Sequence, residues 1–101
     1  MQRALWDPVE PDRLGSLDSR LHARVNGEIY RFSSRRTLAL FRHHPVRWCG
    51  LLRDPVTGER FVPDTRSPRA DLDGVPYFFA SDSTRAAFVN SPRKYEVKRV
   101  I

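Results

Sequence analysis

The chain contains a single cysteine, Cys49, and only two lysines. One cysteine excludes an intramolecular disulfide. No apolar stretch approaches the roughly 20 residues that a membrane-spanning helix requires, and no basic segment followed by an apolar run marks a secretory signal. These absences predict a protein that folds without disulfides, works in the cytoplasm and has no membrane partner.

Arginine supplies almost all of the positive charge. The 16 arginines and two lysines give a formal net charge of +6, of which residues 1–48 carry +4 and the remainder +2. Such an excess is typical of proteins that bind phosphate groups or acidic partners, but a GC-rich coding sequence also favours arginine over lysine. The basic residues are dispersed rather than gathered in one block, so both interpretations stay open.

The length of 101 residues allows one compact domain or two very small ones. Hydrophobic residues make up 40% of the chain and aromatic residues 11%, which is enough for a core. A unit of about 50 residues is marginally stable alone and usually needs disulfides, a metal ion or a partner. Two such units packed together would satisfy that need without a metal ion.

One sequence pattern occurs twice, at an offset of 47 residues. Aligned without a gap, the two halves share identical residues at 14 positions. In the first half these are Leu5, Asp7, Pro8, Val9, Arg13, Ala23, Gly27, Tyr30, Phe32, Ser34, Thr37, Ala39, Phe41 and Pro45. Such a repeat indicates a duplicated structural unit. We expect residues 1–48 to form the first unit and residues 49–101 the second, packed together as one compact body.

The shared residues predict a β-hairpin followed by a short helix in each half. Asn26-Gly27 and Asp73-Gly74 are typical of type I′ turns, in which both central residues need positive φ. Ser34 and Ser81 stand where each helix would begin and are predicted to cap it. A proline 11 residues after each serine is predicted to end the helix.

The pattern of the second half resembles the YHS domain family. The matching residues are Asp54-Pro55-Val56, then Gly74, Tyr77, Phe78, Phe79, Ser81, Phe88, Pro92 and Tyr95. The resemblance covers residues 54–95 well and residues 7–48 more weakly, through the repeat. It implies an α+β fold of two treble-clef-like units, similar to the TRASH group of metal-binding domains. We expect a pseudo-two-fold pair, with the aromatic residues between or beneath the helices.

Both halves depart from this family at its metal ligands. The family pattern places one cysteine after Asp-Pro-Val, one after Tyr-x-Phe and one four residues further on. Those positions hold Glu10, Ser33 and Thr37 in the first half and Thr57, Ala80 and Thr84 in the second. Thiolates would bind a soft metal ion there, whereas alanine and neutral hydroxyl groups are poor ligands. The resemblance therefore implies the fold and argues against the family's metal role, and we expect no cofactor.

A few residues with reactive side chains are weak candidates for a site. Cys49 lies close to His43 and His44 in the sequence, and a metal site of these residues is a minor alternative. Nothing orients a Cys–His pair for nucleophilic catalysis, so we predict that the protein is not an enzyme. Asp7 and Asp54 are predicted to accept backbone hydrogen bonds in turns rather than to form a catalytic pair.

Five arginines cluster in the later part of the first half: Arg31, Arg35, Arg36, Arg42 and Arg47. Their counterparts in the second half are Phe78, Asp82, Ser83, Val89 and Lys94. Together with Trp6, predicted to be exposed, the five arginines form a candidate binding face for an acidic protein or a phosphate backbone. The leading hypothesis is a non-catalytic accessory subunit or adaptor that binds another protein. A nucleic-acid-binding protein that uses the same arginines is the alternative, and a metal carrier through Cys49 and histidines is the third.

Overall fold

The computed structural model describes residues 6–97, so the Leu5 match of the repeat lies outside the described residues. Within this range the chain forms three two-stranded antiparallel sheets, four α-helices and a 3₁₀ helix at Ser19–Leu21. In chain order the elements are β1 (His22–Val25), β2 (Glu28–Arg31), α1 (Arg35–His43), α2 (Pro45–Trp48), β3 (Leu52–Arg53), β4 (Arg60–Phe61), β5 (Arg69–Leu72), β6 (Val75–Phe78), α3 (Asp82–Asn90) and α4 (Pro92–Tyr95). This architecture confirms the predicted α+β class.

Two of the sheets are the predicted hairpins. Strand β1 pairs with β2 and β5 pairs with β6, each across a two-residue turn. In the turns φ is 52° at Asn26, 79° at Gly27, 54° at Asp73 and 78° at Gly74. Asparagine and aspartate are the non-glycine residues that tolerate positive φ best. The structure thus confirms both turn predictions.

Helices α1 and α3 begin at the predicted serine caps. The Ser34 hydroxyl accepts the N–H of Thr37 at 3.3 Å, and the equivalent bond to Ser81 is 3.2 Å long. The prolines do more than end these helices. Pro45 and Pro92 each occupy the first turn of a further four-residue helix, α2 and α4, where the missing N–H costs no hydrogen bond.

The buried aromatic residues belong to two clusters, one that contains Phe41 and one that contains Phe88. In the first half the ring of Phe41 packs against Tyr30 and Phe32, with centroids 5.0 and 4.9 Å away. In the second half Phe88 makes the corresponding contacts at 4.8 and 5.2 Å. Tilted aromatic pairs of this kind contribute about 0.5–1.5 kcal/mol each beyond the burial of their surface.

The buried carboxylate of Asp7 joins three segments of the first half. Its Oδ1 accepts the N–H groups of Val9 and Glu10 at 2.8 and 3.1 Å. Its Oδ2 accepts the N–H and the hydroxyl of Ser33, both at 2.8 Å, and the hydroxyl of Thr37 at 2.6 Å. The Asp-Pro-Val turn is therefore tied to the chain that follows β2 and to the first turn of α1.

Asp54 makes the corresponding bonds in the second half. Its Oδ1 accepts the N–H groups of Val56 and Thr57 at 2.8 and 3.4 Å. Its Oδ2 accepts the N–H of Ala80 at 3.0 Å and the hydroxyl of Thr84 at 2.7 Å. Both aspartates are fully buried. These bonds confirm that the two carboxylates are turn acceptors, and they add long-range bonds that the sequence did not reveal.

The side chain of Asn26 connects the two halves. Although it belongs to a hairpin turn, it is only 4% exposed. Its Nδ2 donates to the carbonyl oxygens of Phe78 and Arg53 at 2.9 and 3.0 Å, and its Oδ1 accepts the N–H of Phe78 at 2.7 Å. Asp73, in the other turn, is instead exposed and pairs with Arg93 at 2.8 Å. The two turns therefore share a conformation but differ in what their side chains do.

Apolar side chains also cross from one half to the other. Leu52 and Phe78, which belong to the second half of the sequence, are buried in the same cluster as Val25, Phe32 and Phe41 of the first half. A fully buried leucine or phenylalanine contributes about 1.5–3 kcal/mol through the hydrophobic effect. The first core is therefore incomplete without residues that follow Gly50.

Replacement of Asp7 by asparagine should lower the free energy of unfolding by about 2–4 kcal/mol at pH 7, because buried donors lose a charged acceptor. Burial raises the pKa of Asp7, but hydrogen bonds from Ser33, Thr37 and Glu10 outweigh burial and hold the pKa below its ordinary value. The contribution of Asp7 is therefore complete above an unfolded-state pKa of about 4 and is lost as the pH falls through the lowered folded-state pKa.

Urea denaturation of the wild type and of Asp7→Asn at pH 7 and pH 3 measures both effects. The difference in the free energy of unfolding between the wild type and Asp7→Asn should be smaller at pH 3. Protonation of Asp7 in the wild type removes the same charged acceptor that the substitution removes in the variant. Asp12→Asn changes an exposed carboxylate and should alter stability by less than about 0.5 kcal/mol. A difference that stays the same at both pH values would contradict the role given to the ionised Asp7.

Substitution of the two turn residues separates the junction from the turn itself. Asn26→Asp should cost about 2–4 kcal/mol at pH 7, because a buried carboxylate would lose two donated bonds and face two carbonyl oxygens. Asp73→Asn should cost at most about 1 kcal/mol, since it removes only an exposed ion pair. Aspartate and asparagine both tolerate the turn conformation, so equal costs in thermal or urea denaturation would show that Asn26 does not hold the halves together.

Candidate functional site

The three positions at which the resemblance places metal ligands surround Asp7. The N–H of Glu10, the N–H and hydroxyl of Ser33 and the hydroxyl of Thr37 all donate to its carboxylate. A side-chain carboxylate therefore joins the segments that thiolates and a metal ion would join in the family pattern. Within residues 6–97 no three His, Cys, Asp or Glu side chains form a group that could hold a metal ion.

The structure places Cys49 and the neighbouring histidines in different environments. Burial raises the pKa of the Cys49 thiol to about 12, and the hydrogen bond from Tyr30 offsets only part of this effect. Burial therefore disfavours the thiolate, which is the form that acts as a nucleophile or binds a metal ion. His43 and His44 are exposed, and their rings stack on each other with centroids 5.6 Å apart.

A shallow groove of about 690 Å³, which we call the α1 groove, runs along helix α1. Its lining consists of Arg20, Arg35, Leu38, Ala39, Arg42 and His43. Five of these residues lie on α1 at the spacing of one helical face, and Arg20 comes from the 3₁₀ helix that precedes β1. Leu38 and Ala39 form an apolar floor between cationic side chains.

Two of the groove arginines have no acidic partner in the described part of the chain. Arg20 is held by Asp18 at 2.9 Å. By contrast, no carboxylate of residues 6–97 forms an ion pair with Arg35 or Arg42. Helix α1 itself contains no acidic residue, whereas α3, its counterpart in the second half, begins with Asp82. The positive charge of the α1 groove is therefore available to an anionic partner.

The other residues of the predicted binding face lie elsewhere. Arg36 forms an ion pair with Glu10. Arg47 lies over the ring of Trp48, with 5.2 Å between its guanidinium carbon and the ring centroid. Trp6 pairs with Leu14 in a β-bridge and is 39% exposed. These side chains do not line the α1 groove.

Arg31 is also outside the groove, half-buried on β2. Its Cβ would lie only 2.5 Å from a Cβ built on Gly15, so the two segments pack closely there. The structure therefore brings Arg35 and Arg42 of the predicted set together and joins them to Arg20 and His43. Sequence reasoning did not identify Arg20 as a binding residue. Its position just before β1 becomes informative only when the fold places it beside α1.

A second concave site lies between the two halves, and we call it the junction cavity. It has a volume of about 520 Å³. Its lining from the first half is Ser19, His22, Ala23, Arg24, Val25, Ile29, Phe41, Arg42 and Pro45, and from the second half Arg69, Gly74, Val75 and Pro76. No sequence pattern indicated this cavity, because its walls come from the two halves of the chain and meet only where the halves pack.

No helix within residues 6–97 is long and apolar enough to cross a membrane. Comparisons with protein-family models, with curated proteins and with solved structures found no match for the chain. The resemblance to the YHS family stays a prediction from the sequence.

Proposed function

We propose that the chain is a non-catalytic, metal-free protein-binding module that serves as an accessory subunit or adaptor. Its partner would place an acidic segment with some apolar side chains in the α1 groove. The observation that carries this proposal is the groove itself, in which cationic side chains surround an apolar floor and none of the described lining residues is acidic.

As part of the same proposal, the two halves are YHS-like units that pack as a pseudo-two-fold pair. Support comes from the matching bonds of Asp7 and Asp54, from the paired hairpin turns and from the equal lengths of α1 and α3. A fold that closes its loops through buried carboxylates and completes a core across the junction has a source of stability other than a bound metal ion.

Two features of the groove favour a protein over a nucleic acid. Leu38 and Ala39 offer apolar contact, which suits the mixed surface of a protein segment better than a phosphate backbone. Single-stranded nucleic acids bind proteins largely through stacking of bases on aromatic rings, and the described lining of the α1 groove contains no Phe, Tyr or Trp, its one ring being the imidazole of His43. Among the exposed large hydrophobic residues of the described range, Trp6 is the single aromatic one.

The test begins with capture of partners from nuclease-treated lysate of the native host, followed by purification of each stoichiometric partner. Binding is then measured with pure components by isothermal titration calorimetry. Charge reversal by Arg35→Glu, and separately by Arg42→Glu, should weaken binding at least tenfold, because an acidic segment would meet like charge. Arg66→Glu reverses an exposed arginine in a loop of the second half and should leave the affinity unchanged.

Three outcomes would contradict the proposal. The first is equal weakening by Arg35→Glu and Arg66→Glu, which would indicate nonspecific attraction rather than docking in the groove. The second is capture of material only from a parallel lysate without nuclease, together with tight, strongly salt-dependent binding of purified DNA or RNA, which would favour the nucleic-acid alternative. The third is a partner whose affinity is the same for the wild type and for both groove variants.

A further inference from the structure

The junction cavity combines apolar walls with a volume suited to a small ligand. Its apolar lining is formed by Val25, Ile29 and Phe41 from the first half and by Val75 and Pro76 from the second. Its volume of about 520 Å³ lies within the range of roughly 300–1,000 Å³ that is usual for sites of small ligands. The cavity is therefore large enough for a small organic molecule and apolar enough to bind its ring.

Cationic and hydrogen-bonding side chains stand on the same walls. Arg24, Arg42 and Arg69 line the cavity with His22, and no acidic residue is among the described lining. Arg69 is paired with Asp71 at 2.9 Å, but no carboxylate of residues 6–97 forms an ion pair with Arg24 or Arg42. Two guanidinium groups thus border the cavity without a counter-charge from the described chain.

Arginines at the edge of an apolar cavity are suited to one chemical class of ligand. A guanidinium group binds phosphate oxygens through two parallel hydrogen bonds, and such bonds are strong where water is partly excluded. An apolar surface beside it favours a flat ring rather than a fully hydrated anion. Inorganic phosphate alone would make no contact with the apolar walls, and an uncharged ring would make no ion pair with the arginines.

We propose that the junction cavity binds a small phosphate ester that carries one ring system, with adenosine monophosphate as a representative member of this class. The phosphate would contact Arg24 and Arg42, and the ring would lie against the apolar walls from both halves. This site is separate from the α1 groove except at Arg42, which lines both. The inference does not rest on the proposed protein partner.

Isothermal titration calorimetry with four probes tests this inference: adenosine monophosphate, adenosine, phenyl phosphate and inorganic phosphate. Adenosine monophosphate should bind at least tenfold more tightly than adenosine and inorganic phosphate. Phenyl phosphate distinguishes the two sources of such a ligand: an affinity similar to that of adenosine monophosphate supports aryl phosphates in general, and a much weaker one supports nucleotides. Failure of both esters to bind at millimolar concentration would overturn the proposal.

Variants show whether binding takes place in the cavity. Arg24→Gln removes a guanidinium group that lines the cavity but not the groove, and it should weaken binding of adenosine monophosphate at least tenfold. Val75→Phe fills part of the cavity without changing the charge, and it should weaken binding to a similar extent. Arg35→Gln removes a guanidinium group that lines the groove but not the cavity, and it should leave this affinity unchanged.

Circular dichroism and thermal denaturation establish that each variant is folded before its affinity is interpreted. If Val75→Phe does not fold, Arg24→Gln and Arg35→Gln still decide the outcome. Equal loss of affinity in both arginine variants would show attraction by net charge and would overturn the cavity site. The same pair separates the two proposals, because Arg35 substitution should affect only the protein partner and Arg24 substitution only the phosphate ester.

Discussion

The buried carboxylates of Asp7 and Asp54 are the interactions on which the rest of this structure depends. Each gathers donors from a turn, from the end of a hairpin and from the first turn of a helix, so three segments are fixed by one side chain. In the first half these bonds are strongest while Asp7 is ionised, since a neutral acid accepts less strongly and carries a proton that needs an acceptor of its own. Each helix therefore receives a defined position over its hairpin, and α1 in turn positions the arginines of the groove.

The sequence predicted the local structure well because the determinants are local. Positive φ at Asn26 and Asp73 follows from the demands of a type I′ turn, and the caps at Ser34 and Ser81 follow from the unsatisfied N–H groups at a helix start. The residues of the predicted binding face do not all lie together. Arg36 forms an ion pair with Glu10 and lies on a different side of α1 from Arg35 and Arg42, which line the groove.

What the sequence did not reveal depends on contacts between distant residues. Asn26 and Asp73 look interchangeable in the repeat, yet one is buried against Phe78, 52 residues away, and the other is solvent-exposed. Neither turn chemistry nor composition distinguishes them, because the difference arises only when the halves pack. The junction cavity belongs to the same category. Duplicated sequences retain similar cores, while the surfaces and the junction are free to acquire different roles.

The turn of the first hairpin also contacts the far end of the described chain. Gly27 is buried, and a Cβ built on it would collide with the side chain of Val97. During synthesis the first hairpin therefore leaves the ribosome long before the residues that cover its turn. The hydrogen bonds between Asn26 and Phe78 likewise cannot form until Phe78 has been made. Contacts of such sequence separation form late and slow the folding of small domains. The turn of the first hairpin thus reaches its final environment only after Val97 has been made.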